Sequence, residues 1–202
     1  MPMKPLLAAI ALSLISASAG LAFDGATEAV IAEQKVGKPV PITAVAELMQ
    51  SSERWCYAEA EGSCAWTDVY LSVTAEAADY EIANAWNENI DIALIDTGRF
   101  ENGTSICDTQ TDWLPSVRAT RRVDQRLIEG RALRDLKAEI AEVVGVQQLD
   151  CFDYIYRGAD RSARTITLLQ QQSHNGEHDP AQDTLVTLHF DPEAAARLTL
   201  RW

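Results

Sequence analysis

The chain has 202 residues, 47% of them hydrophobic, and a formal charge of −13 at pH 7. A single domain of that length buries about two thirds of its surface without help from metals or partners. The acidic balance excludes nucleic acid and anionic membrane as partners, because both require a broad surface of positive potential.

Residues 1–22 read as a secretory signal peptide. Lys4 is followed by the apolar stretch Leu6–Ile15 and then by Ser16-Ala17-Ser18-Ala19-Gly20, which is the order that signal peptidase recognises. Ala17-Ser18-Ala19 gives cleavage before Gly20, and Gly20-Leu21-Ala22 gives cleavage before Phe23. The apolar run is roughly half the ~20 residues of a spanning helix, and no later stretch is longer, so no integral membrane segment is expected after cleavage. The expected address is outside the cytosol, in the periplasm or the extracellular space.

The mature part begins with an extended arm over 23–42, where Pro39 and Pro41 disfavour helix in the residues before them. Residues 43–202 are expected to form one α+β domain. Thr43 is placed to cap a short helix with Val45, Leu48 and Met49 on one face. Strand alternation then starts near Trp55 and is clear over 66–73, where Thr67, Val69, Leu71 and Val73 oppose Trp66, Asp68, Tyr70 and Ser72. Tyr80–Trp86 repeats the pattern, Asn87-Glu88-Asn89 turns the chain, and Ile90–Ile95 is apolar enough on both faces for a central strand. Asn102-Gly103 suits a tight hairpin turn, which is a better account of Asn102-Gly103-Thr104 than a glycosylation sequon. Spacers this short imply antiparallel neighbours.

Residues 116–128 read as a further strand with Val117, Ala119, Val123 and Leu127 on roughly one face, with a continuous helix through the arginine-rich stretch as the alternative. A longer helix follows at 131–144, with Leu133, Leu136, Ile140, Val143 and Val144 as its stripe and Gly145 at its end. The last third alternates at Cys151–Tyr156, Thr165–Leu169, Leu185–Phe190 and Ala195–Trp202. Core faces are expected at Ile166 and Leu168, at Val186, Leu188 and Phe190, and at Leu198, Leu200 and Trp202. The polar link 170–183 reads as an exposed loop. The fold class is therefore an antiparallel β-rich α+β domain with a short N-terminal and a longer central helix. The layout also admits two helix-plus-meander halves divided near 111–130, although no repeat at residue level supports them.

Four cysteines in an exported chain favour two disulfides. Ala60-Glu61-Gly62 can turn the chain and join Cys56 to Cys64, which leaves Cys107 for Cys151. No C-x2-C pair suggests zinc, and no cofactor is expected.

The search for chemistry yields little. His174 and His178 lie four apart near Glu177, Asp179 and Asp183, but a glycine-containing loop does not hold both rings on one side as a helix would; they form a weak metal candidate. His189 reads as a surface histidine, and with Asp153 it forms the histidine-assisted alternative for a hydrolase. Asp150 and Asp153 beside Tyr154 and Tyr156 raise a glycosidase question that only spatial separation answers. There is no G-x-S-x-G elbow, phosphate-binding loop or C-x-x-C pair. Trp66 and Tyr70, with Trp86 alongside if the strands pair suitably, form an aromatic stripe fit for an interface. The arginine-rich stretch 118–137 is interrupted by acids and reads as ordinary surface. The functional expectation is a non-catalytic exported protein that binds an envelope or secreted protein, with a secreted hydrolase as the alternative.

Overall fold

The computed structural model describes residues 23–109, 111–144 and 149–202. The expected signal peptide and the helix-terminating Gly145 lie outside those residues.

Eight strands alternate inward and outward and run in chain order: β1 (Arg54–Tyr57), β2 (Trp66–Val73), β3 (Ala77–Asn87), β4 (Ile90–Glu101), β5 (Ser105–Asp108), β6 (Asp150–Asp160), β7 (Thr165–His174) and β8 (Thr184–His189). Each pairs antiparallel with the next. β8 then pairs with β1, with Leu188 opposite Trp55 and Val186 opposite Tyr57. The meander therefore closes into an eight-stranded up-and-down barrel, which leaves no long free edge. The expected α+β class holds, with the strands on both sides of 111–130 sharing this single wall.

The Asn-Gly turn forms as read: Asn102 and Gly103 take φ of 53° and 74°, and the Thr104 amide donates to the Glu101 carbonyl at 3.2 Å. Strand β5 is only four residues long. Where it stops, residues 37–40 take over the wall, with the Gly37 and Val40 amides each donating at 2.8 Å to the Tyr156 and Tyr154 carbonyls of β6.

The arm expected over 23–42 is thus extended only in its second part. Its first part is helix α1 (Gly25–Glu33), capped by Asp24, whose carboxylate accepts from the Thr27 amide at 2.7 Å. Its apolar residues form no stripe, so periodicity did not reveal it. Helix α2 (Ile42–Ser51) buries Val45, Leu48 and Met49 as expected, but it starts at Pro41 without a side-chain cap, so Thr43 lies inside it. Both helices join the barrel core, where Phe23 meets Phe190 edge-on at 5.0 Å and the α2 face packs with Trp55, Tyr154 and Ile166.

Other expectations need correction. The strand expected over 116–128 is a hairpin, Arg118–Arg121 with Leu127–Ile128, paired to β4. Val117 and Ala119 are buried, but Val123 at its tip is 89% exposed, because the Arg121 carbonyl accepts from the Gln125 amide and turns the chain. Helix α3 (Gly130–Val144) buries Leu136 and Ile140 against this second apolar cluster, while Val143 and Val144 extend past it into solvent. The link 170–183 is not all loop: β7 continues to His174, turns at Asn175-Gly176 and pairs with Glu177–His178. The C-terminal strand expected over 195–202 begins instead as α4 (Pro192–Arg197), because Asp191 caps it and Pro192 opens it. Only Thr199–Leu200 is extended, parallel to Ser63–Cys64, and Trp202 is 73% exposed rather than core.

The disulfides join Cys56 to Cys64 and Cys107 to Cys151. Glu61 and Gly62 take positive φ in the turn of the first. The second ties short β5 to β6 across directly opposed residues.

Among the described residues no helix is long and apolar enough to cross a membrane. The outer face of the barrel carries exposed Arg99 and Arg157.

Candidate functional site

Strand alternation decides what enters the barrel. Trp55 of β1 lies opposite Asp68 of β2, which lies opposite Ile82 of β3; one step along, Tyr57 faces Trp66. Tyr70 lies opposite Tyr80, and Tyr80 opposite Asp96 of β4. On the other side Ile106 faces Phe152, and Tyr154 and Phe152 face Gln170 and Gln172.

Trp55, Leu48, Ile166, Leu168, Val186 and Leu188 fill part of the barrel and are almost fully buried. What remains is a half-enclosed cavity of about 340 Å³ lined from seven strands, β1 to β7. The rings set its shape. Tyr57 stacks on Trp66 with centroids 4.7 Å apart, and Trp55 meets Tyr70 and Tyr154 edge-on at 5.1 and 5.3 Å. Gly98 of β4 is required here, since a Cβ would come within 2.5 Å of the Ile106 side chain.

Three carboxylates line the same space: Asp68, Asp96 and Asp108. Asp68 is 6% exposed. Its Oδ2 accepts from the Tyr57 hydroxyl at 2.7 Å, but its buried Oδ1 has no hydrogen-bond partner. Burial pushes the Asp68 carboxyl up to about 7 against the opposing Tyr57 hydrogen bond. Burial does the same to Asp108, up to about 7, with Asp96 and Asp150 adding repulsion. Asp96 is raised by burial despite the hydrogen bond from the Thr97 amide. Tyr57 and Tyr70 are also held well above the usual phenol range, first by burial, so they stay neutral donors. Among the described residues no lysine, arginine or histidine lines the cavity.

The candidates read from the sequence scatter. Trp66 and Tyr70 both line the cavity. Trp86 does not join them; it packs toward α3 and its indole donates to Glu139 at 3.0 Å. His189 is not a surface residue but 7% exposed, because the loop after β1 brings Glu59 to within 2.9 Å of its Nε2. Asp153 instead accepts from Ser105 at 2.8 Å. His189 lies opposite Thr165 and Asp153 opposite Gln171, which separates them by about 20 Å along β7. His174 pairs with Asp150, whereas His178 approaches Asp183 at 2.7 Å, so each ring has its own carboxylate.

Among the described residues, Cys56, Glu59 and His189 bring three possible ligand atoms within 4.8 Å of one another. The Cys56 sulfur is committed to Cys64, and a metal takes the thiolate, so two donors remain.

Sequence reasoning missed the three acids. Asp68 was findable, since it sits between Trp66 and Tyr70 on the aromatic face of β2. Asp96 and Asp108 become neighbours only through the β4–β5 register, which sets Asp108 opposite Gly98. Compared with known proteins, the chain matches no family model, no curated protein and no solved structure.

Proposed function

We propose that the chain is a non-catalytic exported binding protein that takes a small organic ligand into the mouth of its barrel. The observation that carries this reading is the half-enclosed cavity of about 340 Å³, lined by aromatic rings and a few polar groups. Its size falls at the lower end of the ~300–1,000 Å³ typical of small-ligand sites. An eight-stranded barrel is also the size whose interior is either filled by side chains or left with room for one small guest. Trp66 and Tyr70 support a guest inside the wall better than a flat protein contact, because they line the cavity. The proposed address is the periplasm, resting on the signal-peptide reading of 1–22 and on two disulfides, which persist in oxidising compartments.

The test uses the oxidised chain from Phe23 onward, titrated with 2-phenylethanol, phenethylamine, 3-phenylpropanoate and indole. At least one should saturate a change in tryptophan fluorescence and raise the melting temperature. Ile82→Trp, which fills the cavity, should abolish both responses while circular dichroism stays native. No saturable response to any of the four, or undiminished binding by I82W, overturns the reading.

A further inference from the structure

The contents of the cavity narrow the ligand class, on the footing that the cavity is a ligand site. We propose that its guest is a small protonated amine with an aromatic or alkyl tail, its ammonium donating to Asp68 and its tail lying among the rings.

The charge balance of the cavity carries this. Three carboxylates line one aromatic cavity without a basic side chain among the described residues. Asp68 adds a second, independent sign: an oxygen of a carboxylate that is 6% exposed lacks any hydrogen-bond donor. A buried acceptor left without a donor is unfavourable, more so when charged, and an ammonium N–H supplies what is missing. Tyr57 already occupies the other oxygen, so Oδ1 is the oxygen left for the ammonium. Stacked Tyr57 and Trp66 offer the negative faces that attract a cation. A neutral guest would satisfy the rings but not the charge, and an anion would face three acids.

Binding is coupled to proton release. The titratable groups facing Asp68 in the cavity are Asp96 of β4, Asp108 of β5 and the tyrosines Tyr57, Tyr70, Tyr80 and Tyr154. The tyrosines are raised by burial and stay neutral. Asp68 and Asp108, each pushed up to about 7, ionise between about pH 6 and about pH 8, so a cation binds more tightly at the upper end.

The experiment measures dissociation constants by titration calorimetry for three molecules of similar shape: phenethylamine, 2-phenylethanol and 3-phenylpropanoate. Phenethylamine should bind at least ~10-fold more tightly than 2-phenylethanol, 3-phenylpropanoate should bind weakest, and the amine's affinity should rise from about pH 6 to about pH 8. Asp68→Asn should remove most of the amine's advantage over 2-phenylethanol; an advantage that persists in D68N overturns the role of Asp68. Asp108→Asn, at the wall of the cavity, gives a second reading should D68N lose its fold. Phenethyltrimethylammonium, which has charge but no N–H, should bind more weakly than phenethylamine; equal binding overturns the amine class. If 2-phenylethanol binds as tightly as the amine, the cation inference falls and the small-ligand reading survives. If none of the molecules binds, both fall.

Discussion

Asp68 is both a buried residue of the barrel and part of the cavity lining. Its carboxyl titrates near 7 when folded against an ordinary value near 3.8, so the native state holds a proton that the unfolded chain has lost between those values. Stability therefore falls as pH rises through that window, by roughly 1.4 kcal/mol for each tenfold drop in proton concentration, and levels off above it. Melting temperatures from about pH 4 to about pH 8 should decline in the wild type and decline less in D68N. The opposite slope would show that Asp68 is ionised and paired in the native state. Gly98 makes a separate residue-scale case. Gly98→Ala drives a methyl into Ile106 at 2.5 Å, and overpacking of this kind costs about 1–3 kcal/mol. A urea midpoint equal to that of the wild type would contradict that contact.

At the scale of elements, β5 is a short, buried stretch of the barrel wall. Four residues offer few ladder bonds, so the strand relies on the Cys107–Cys151 bridge to β6 and on residues 37–40 beyond its end. Replacing both cysteines with alanine should cost about 2–4 kcal/mol and speed amide exchange in 105–108 more than in β7 or β8. Uniform exchange would argue against a local role. Elements with a local signature were legible. Strands β2, β3, β4, β7 and β8 follow alternation, α3 follows its Leu136–Ile140 stripe, and the turn at Asn102-Gly103 follows from residues that tolerate positive φ. Those with weak local pattern were not. Helix α1 has a cap without a stripe, and α4 was hidden by an apolar alternation that Asp191-Pro192 interrupts.

At the scale of the whole molecule, the central event is closure. The pairing of β1 with β8 joins residues more than a hundred positions apart in the chain, and nothing in either segment announces the other. Without that pairing, Trp66, Asp68 and Tyr70 are one face of an open sheet, equally fit for an interface; with it, they line a cavity. Within 111–130, Arg118–Arg121 and Leu127–Ile128 form a hairpin on the flank of β4. Arg118 and Arg122 there reach Glu81 and Asp91 of the barrel wall, so the basic stretch is matched locally by acids. Residues read singly for chemistry fared worst, because catalysis depends on distance. His189 and Asp153 lie on strands that flank β7, yet at opposite ends of it.

The sequence by itself determined the acidic balance, the mixed α+β composition, most strands and the preferred cysteine pairing, because charge, period and turn chemistry are local properties carried by neighbouring residues. Tertiary structure alone decided that the strands close into a barrel, that three acids share one aromatic cavity, and that Asp68 keeps an oxygen without a donor. Those outcomes depend on strand register and long-range pairing, which no short window of residues contains.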